Sequence, residues 1–518
     1  MKIKLISLAL AALSIPLAQG TQQKICDYSP KYGNHGEKWK AEDRIPDFSY
    51  AGYHAGEMPI PRESNATWNL KRNFGAVGDG KTDDTNALKQ ALQGNGKGIL
   101  FIPAGTYLIS DKISFGRGNF VIRGEGPGKT VLMFSKSLTD LFGNTPDAHG
   151  YSQYSFGPGL FNVNGRDLIT SSNLLAEIVA PAKRGDKTIK VSTAAKFEIG
   201  QWIRVVESDS GGSLIRYMYS DKGAPAPALT GSKNIVRFLS RVESICQDRG
   251  GITVTLERPL PYDIRPEWRP EVHGFGPTNE EFGIEGVSFQ FPWSAYPGHF
   301  KEAGYNALFL NRLANCWVRN VEFVNADFGI YLNETDFCTV TDVHFSVTQP
   351  RNTAPESGGW NGHHGIDIAH GTENLVTRFR YDTRFVHDLS VDWYVLHSVF
   401  ENGAGVDLNM DHHRSANYSN LFTDIDCGDC TRPFDSSGST DHGSHAGSYA
   451  TFWNIHGTPK LISMPAMDFG PVINLIGGFQ RRNSQPGWYI EATPTGHEIC
   501  PANLHEDMLK NRGFGAWN

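Results

Sequence analysis

Down the second half of the chain a seven-residue phrase recurs: GIEGVSF from 283, WVRNVEF from 317, TVTDVHF from 339, LVTRFRY from 375, YVLHSVF from 394, LFTDIDC from 421, TFWNIHG from 451 and PVINLIG from 471. Position two is always Val, Ile or Phe, and position five is apolar in every copy except the one carrying Ser398. Positions five and seven share one face of a strand, whereas two and five cannot, so a corner must lie between them. The starts are 34, 22, 36, 19, 27, 30 and 20 residues apart, which gives a minimal coil of about 20 residues with loops on the longer intervals. Stacked coils of this kind make a solenoid. We expect Ile284, Val318, Val340, Val376, Val395, Phe422, Phe452 and Val472 to form one continuous buried stack. Cys316 and Cys338 hold the same register one coil apart, so they either stack as small apolar side chains, the reading favoured here, or form a disulfide.

A second strand precedes several of the phrases: ALFLN from Ala307, GIYLN from Gly329, GIDIA from Gly365 and GVDLN from Gly405. Its flanking apolar pairs must enter the core, so the residue between them faces out, giving a column Phe309, Tyr331, Asp367, Asp407. One coil separates the two aspartates, with His387 and Asp388 on the strand between. Coils stack about 4.8 Å apart, so Asp367 and Asp407 are expected on the order of 9 to 10 Å apart, a gap that admits a sugar ring. The longest loops, Thr348 to His364, Asn409 to Asn420 and Ser436 to Ala450, gather over this face and should wall a cleft. Ten of the 18 histidines fall between 363 and 456.

Near the other end, NFGAVGDGKTDDTNALKQALQGNGKGILFIPAGTYLIS runs from Asn73, with an amphipathic helix after Asp83-Asp84-Thr85 and a strand from Ile99. This segment resembles the N-terminal cap of the pectate-lyase-like, right-handed parallel β-helix superfamily, whose short helix plugs the open end of the solenoid. The resemblance implies an all-β fold and a structural role for the acidic pair. It does not imply a reaction, because the same cap opens hydrolases, lyases, epimerases and phage tailspikes. Leu174 to Ile264 breaks the repeat with alternating strands and reads as a small inserted β subdomain. Within it, Ser208 to Ser232, rich in Gly, Ser, Ala and Pro, reads as a mobile loop. The expected organisation is a leader at 1–20, an N-terminal extension at 21–72, a capped start of the β-helix at 73–173, the insert at 174–265, the main β-helix at 266–480 and a C-terminal cap at 481–518 with a helix over Leu504 to Arg512.

Composition narrows the setting. Of 518 residues 39% are hydrophobic, enough for a large core, and 56 glycines with 28 prolines suit short strands and turns. The opening MKIKLISLALAALSIPLAQG has Lys2 and Lys4, an apolar run and small residues at Ala18 and Gly20, the pattern of a secretion signal. Without it, 46 basic face 55 acidic side chains, a net of −9 that disfavours nucleic acid, and no later apolar run suggests a membrane span. Seven cysteines in an oxidising compartment leave at least one unpaired within the chain.

The chemistry concentrates on the outward column and its walls. Asp367, Asp407, His364, His387, His412 and His413 are the candidate catalytic groups. Tyr331, Trp360, His363, Asn409, Arg414 and Asp435 are candidate sugar contacts, with Tyr418 a further stacking ring. Asp367, Asp407 and Asp411 are candidate Ca²⁺ ligands. Arg378, Arg380 and Arg384 read as structural charge. Three functions compete: a polysaccharide lyase on a uronate polymer, with histidine as base; an inverting glycoside hydrolase, for which two carboxylates about 6.5 to 9.5 Å apart would serve; and a noncatalytic glycan-binding spike. The lyase leads, because histidines outnumber carboxylates in the expected walls and a locally cationic cleft suits a charged polymer.

Overall fold

A computed structural model describes residues 26–518 apart from 63–64, 167–168, 278, 481–483, 494–496 and 516–518. The expected leader lies outside the described residues. The chain is a parallel β-helix. The recurring phrase supplies a sixteen-stranded sheet, including Phe282–Gln290, Trp317–Val324, Thr339–Ser346, Leu375–Tyr381, Leu421–Asp426 and Ala450–His456, each paired in parallel with the next coil. The corner demanded by the apolar pattern falls at position four of the phrase. Gly286, Asn320, Asp342, Arg378, Asp424 and Asn454, with Asn402 after the strand Val399–Glu401, all hold left-handed φ values between 51° and 68°. That region strains most side chains and is tolerated by Gly, Asn and Asp, which occupy six of these seven positions.

Inside the corner, the expected stack forms from Ile284 through Val318, Val340 and Val376, each partnered with the next. It then departs from expectation at two coils. Val376 pairs with Phe400 rather than Val395, and Phe452 pairs with Leu475 rather than Val472. Val395 is buried in the preceding turn and Val472 sits before its strand, so the phrases from 394 and 471 matched the pattern out of register. At position seven the rings stack on each other, Phe289 on Phe323 at 5.4 Å, Phe323 on Phe345 at 5.0 Å and Phe345 on Tyr381 at 4.4 Å. Cys316 and Cys338 are both buried thiols, so the stacking reading holds. Disulfides join Cys26 to Cys500 and Cys427 to Cys430, and Cys246 is an exposed free thiol.

The cap helix Thr85–Leu92 turns Leu88, Ala91 and Leu92 into the end of the core. Asp84 accepts hydrogen bonds from the backbone of Val77 at 2.7 Å and Gly78 at 2.9 Å, a structural role. The insert is a six-stranded antiparallel sheet that begins at Leu174 and closes with Glu271–Gly274, which hydrogen-bonds to both Leu174–Glu177 and Trp202–Glu207. It is tied to the solenoid by Arg258 on Glu373 at 2.7 Å and by Trp202 against Phe337, ring centres 5.0 Å apart. The stretch expected to be a mobile loop contains the helix Ser213–Met218, whose Leu214, Ile215 and Met218 are buried. Asp209 holds its start by accepting from the backbone of Gly212 and Leu214. The C-terminal helix spans Leu504–Asn511.

Candidate functional site

The second strand of each coil builds a seven-stranded parallel sheet. Its outward column, read across the backbone pairing, runs Asn162, Phe309, Tyr331, Asp367, Ser390, Asp411. Asp411 therefore stands where Asp407 was expected, two coils from Asp367. Above the column opens a cleft of about 730 Å³, floored by Tyr331, Asp367, Asp392 and His413. One wall is His149, Tyr151, Phe156, His299 and Phe300, and the other is Trp393, His442 and the turn from Ser437 to Ser439. Tyr151 stacks on Phe300 with ring centres 3.9 Å apart, and Tyr331 on Phe309 at 5.1 Å, leaving flat apolar faces toward the cleft.

Asp411 is fully buried beneath this floor. It accepts a hydrogen bond from His413 Nδ1 at 2.8 Å and another from Ser390 Oγ at 3.1 Å, and His387 Nδ1 lies 3.1 Å away. Burial alone would raise its carboxyl, but the two imidazoles outweigh that and hold it well below the usual carboxylate range. Burial likewise pushes His413 down, and Asp411, with Asp392 and Asp367 nearby, overrides it and lifts the imidazole to about 9. His413 is thus a cation at neutral pH, with Nδ1 committed to Asp411 and Nε2 left for a ligand.

Two carboxyls share the floor with it. Burial, then the charge of Asp392, holds Asp367 well above the usual range, and Asp367 Oδ1 has no hydrogen-bond partner within the protein. Asp392, at the far end of the neighbouring strand and on the same face, is raised by burial to about 6. The site therefore presents a neutral acid, a base that ionises near neutrality, and a cation.

Four further imidazoles crowd the floor. His364 opens one strand with His363 just before it, and His387 opens the next, directly paired to His364, while His299 arrives from the loop before Asn306–Asn311. Ring centres are 4.2 Å apart for His363 and His364, 4.8 Å for His364 and His387, and 4.6 Å for His299 and His363. Burial holds all four below the usual histidine value, His299 at about 3.

Several expected site residues lie elsewhere. Asp407 accepts hydrogen bonds from Thr431 N and Oγ1 at 2.8 and 2.7 Å and pairs with Arg384 at 2.7 Å, a structural anchor away from the cleft. Val406, expected in the core beside it, is 43% exposed. The paired strand is instead Met410–His412, in which Met410 and His412 face inward and Asp411 outward. His412 consequently packs in the core against Phe422, Phe452 and Phe469, and burial lowers it to about 4. Asn409 is buried, bonding the backbone carbonyls of Val386 and Asp435. Arg414 holds the carbonyls of Gly438 and Gly443, bracing the wall rather than facing substrate. Asp435 is exposed outside the cleft lining, and Trp360 lies beneath Arg432 and Arg384. Tyr418 is buried against the insert. Because Asp407 is committed to arginines and Asp411 to histidines, the three aspartates do not form a Ca²⁺ site, which needs six to eight oxygens around one point. Arg378 pairs with Asp342 and Arg380 with Asp382, the structural charge expected of them.

Sequence reasoning missed His299, Tyr151, Phe156, Phe300 and Asp392. Asp392 carried a usable signal, since it lies two residues beyond the outward Ser390 on one strand. The 147–156 and 299–300 walls carried none, because they reach the cleft through irregular loops outside the repeating strands. The insert also contributes. The buried Tyr219 hydroxyl accepts from Ala416 N at 2.8 Å and reaches the carbonyls of His442 at 3.0 Å and Ser444 at 3.1 Å, so it fixes the wall that carries His442.

A family model described as rhamnogalacturonase A/epimerase, pectate lyase-like, matches residues 68–212. That range holds the cap and the part of the aromatic wall at His149, Tyr151 and Phe156, but not His299, Phe300 or the floor from Asp367 to His413. Alginate lyase 7 of Azotobacter vinelandii is 34% identical over 108 residues, 19% of this chain and 12% of the relative. Mannuronan C5-epimerase AlgE5 of the same organism is 32% identical over 117 residues, 21% of this chain and 12% of the relative. The match thus spans about an eighth of either relative's length. Among solved structures, an alginate lyase from Paenibacillus sp. str. FPU-7 is 9% identical with a TM-score of 0.38, covering 84% of this chain and 100% of that one.

Proposed function

From the premise that the chain is a pectate-lyase-like parallel β-helix, we propose that it is an exported enzyme that cleaves a uronate-containing polysaccharide by β-elimination. The observation that carries this reading is the imidazolium of His413, held by buried Asp411 on the floor of a cleft with aromatic walls. A cation fixed in a low-dielectric cleft favours an anionic sugar, and it draws charge from the sugar carboxylate so that the adjacent ring proton becomes more acidic. Asp392, ionised above about pH 6, takes that proton. The electrons of the broken C5–H bond form the C4=C5 double bond, the C4–O bond breaks, and protonated Asp367 gives its proton to the departing oxygen. Tyr151, Phe300 and Tyr331 offer faces on which sugar rings stack. The names of the two partial relatives, a lyase of alginate and a C5-epimerase of mannuronan, point to the same substrate class. An extracellular setting fits a polymeric substrate, the apolar leader and the Cys26–Cys500 disulfide.

The Asp367 and Asp392 pair, with one carboxyl raised far more than the other, also favours a second reading, a glycoside hydrolase using them as acid and base. Incubation with a panel of uronate-containing and neutral polysaccharides separates the two. Elimination leaves an unsaturated uronate that absorbs in the near ultraviolet, and we expect that absorbance to rise in step with new reducing ends. Reducing ends without absorbance would establish the hydrolase, and neither signal on any polymer would leave the cleft a glycan-binding surface.

A further inference from the structure

Beneath the His413 floor, three imidazoles converge from separate coils without hydrogen-bond partners to explain their burial. One ligand nitrogen from each of His299, His363 and His387 lies within 4.8 Å of the other two. Nε2 of all three has no partner within the protein, and His363 and His387 are almost wholly buried. A buried polar nitrogen left unpaired is costly, so three unpaired Nε2 atoms within one cluster of imidazoles call for an occupant.

The surroundings are those of a metal centre. His387 Nδ1 lies 3.1 Å from Asp411 Oδ2, and His363 Nδ1 lies 3.3 Å from Glu302 Oε1. Glu302 is itself fixed by Tyr296 Oη at 2.6 Å, Ser155 Oγ at 2.5 Å and the backbone of Phe300 at 3.1 Å. Carboxylates thus stand close to Nδ1 of His363 and His387, the placement found behind metal-bound imidazoles that offer their other nitrogen forward. The second cluster of this kind, His387, Asp411 and His413, differs because Asp411 is already hydrogen-bonded within it by His413 Nδ1.

We infer that His299, His363 and His387 bind a divalent transition ion of the Zn²⁺ class through Nε2, with Glu302 and Asp411 as its outer carboxylates. Three imidazoles suit Zn²⁺ and its first-row neighbours and do not suit Ca²⁺, which takes oxygen. A tetrahedral ion with Zn–N bonds of about 2.0–2.1 Å sets its ligand nitrogens roughly 3.4 Å apart, which small rotations of the three rings would reach. His299 lines the cleft, so the fourth position opens there, available to water or to a carboxylate or hydroxyl oxygen of a bound sugar. The inference does not depend on the β-elimination reading.

The test is metal binding by the full-length protein, read without any substrate. Protein stripped with a chelator and titrated with Co²⁺ should take up about one ion per chain, with the visible absorption of a tetrahedral nitrogen site, and Zn²⁺ should displace it. His299→Gln, on the cleft wall and the variant least able to disturb packing, should weaken Co²⁺ binding by about 100-fold or more. Glu302→Gln should weaken it by roughly 10- to 100-fold. His456→Gln, at the remote surface pair with Asp424, should bind as wild type does. Absence of the Co²⁺ spectrum from folded wild-type protein, or wild-type affinity in His299→Gln, would overturn the assignment.

Discussion

The exchange of Asp407 for Asp411 in the outward column can be tested by a pair of isosteric substitutions with opposite consequences. Asp407 is 3% exposed and its carboxylate takes two hydrogen bonds from Thr431 and pairs with the Arg384 guanidinium at 2.7 Å, with Arg432 Nε at 3.7 Å. Asp407→Asn keeps an acceptor for Thr431 N but places an amide donor against the remaining donors. Loss of a whole buried pair costs about 3–5 kcal/mol. Here Arg432 keeps Asp388 at 2.5 Å, and Arg384 is 40% exposed and can turn to water, so about 2–3 kcal/mol is the expected loss. Asp367 is the reverse case. Its folded carboxyl titrates above the usual range, so at neutral pH ionisation favours the unfolded chain, and Asp367→Asn should leave stability unchanged or raise it. Urea titrations followed by tryptophan fluorescence, with turnover measured per folded molecule, separate the two effects. Asp407→Asn should lower the midpoint while turnover stays within about threefold, and Asp367→Asn should hold the midpoint while turnover falls by about 10². Wild-type stability with lost turnover in Asp407→Asn would return that residue to the site and refute the register described above.

Asp392 must be ionised to act as base, so turnover should rise with pH through about 6, and Asp392→Asn should abolish that limb of the profile and lower turnover by about 10². A wild-type profile in the variant would remove Asp392 from the chemistry. Val340→Asp buries an uncompensated charge between Val318 and Val376 and should cost several kcal/mol, read as loss of the cooperative melt followed by circular dichroism. Tyr219→Phe strips the buried Ala416 N–H of its acceptor and should cost about 1–3 kcal/mol. Because the same hydroxyl holds the wall at His442, KM should rise more than kcat falls, and a kcat effect alone would argue against a positioning role.

What could be read in the sequence was what the core dictates. Position two of the phrase must fill the stack and a corner must fall between positions two and five, so the solenoid, its corner and the outward placement of Tyr331 and Asp367 all followed from apolar periodicity. The reading failed where a polar residue took a core position. His412 faces inward beside Val391, which broke the alternation of the strand that forms, while Val406 and Leu408 imitated it one turn too early. The out-of-register phrases from 394 and 471 failed in a related way, because a valine at the right spacing is indistinguishable in sequence from the Phe400 and Leu475 that fill the column. The histidine floor was visible as a cluster but not as a charge pattern. His413 is lifted chiefly by Asp411 two residues before it and its neighbours are lowered chiefly by burial, and neither which side chains face each other nor how deeply they are buried is carried by the residue types alone.

Unpaired buried polar atoms occur along the scaffold as well, but they are concentrated at the site. Both ring nitrogens of His363, His364 and His387, with Nε2 of His299 and Oδ1 of Asp367, lack hydrogen-bond partners and lie around one cleft. Each such buried group costs about 1–3 kcal/mol, more than any single stacked apolar contact in the solenoid returns. A strand sheet selected only for stability would carry apolar or paired side chains there, as the Phe289 to Tyr381 stack does on the other sheet. The coils on either side are continuous parallel pairing through Leu389, Ile366 and Ile330, so the backbone under the histidines is held by neighbours that do not depend on them. That independence lets five imidazoles and two elevated carboxyls persist in a geometry they would not adopt alone, and it is the physical reason that function, rather than folding, accounts for their presence at this point of the helix.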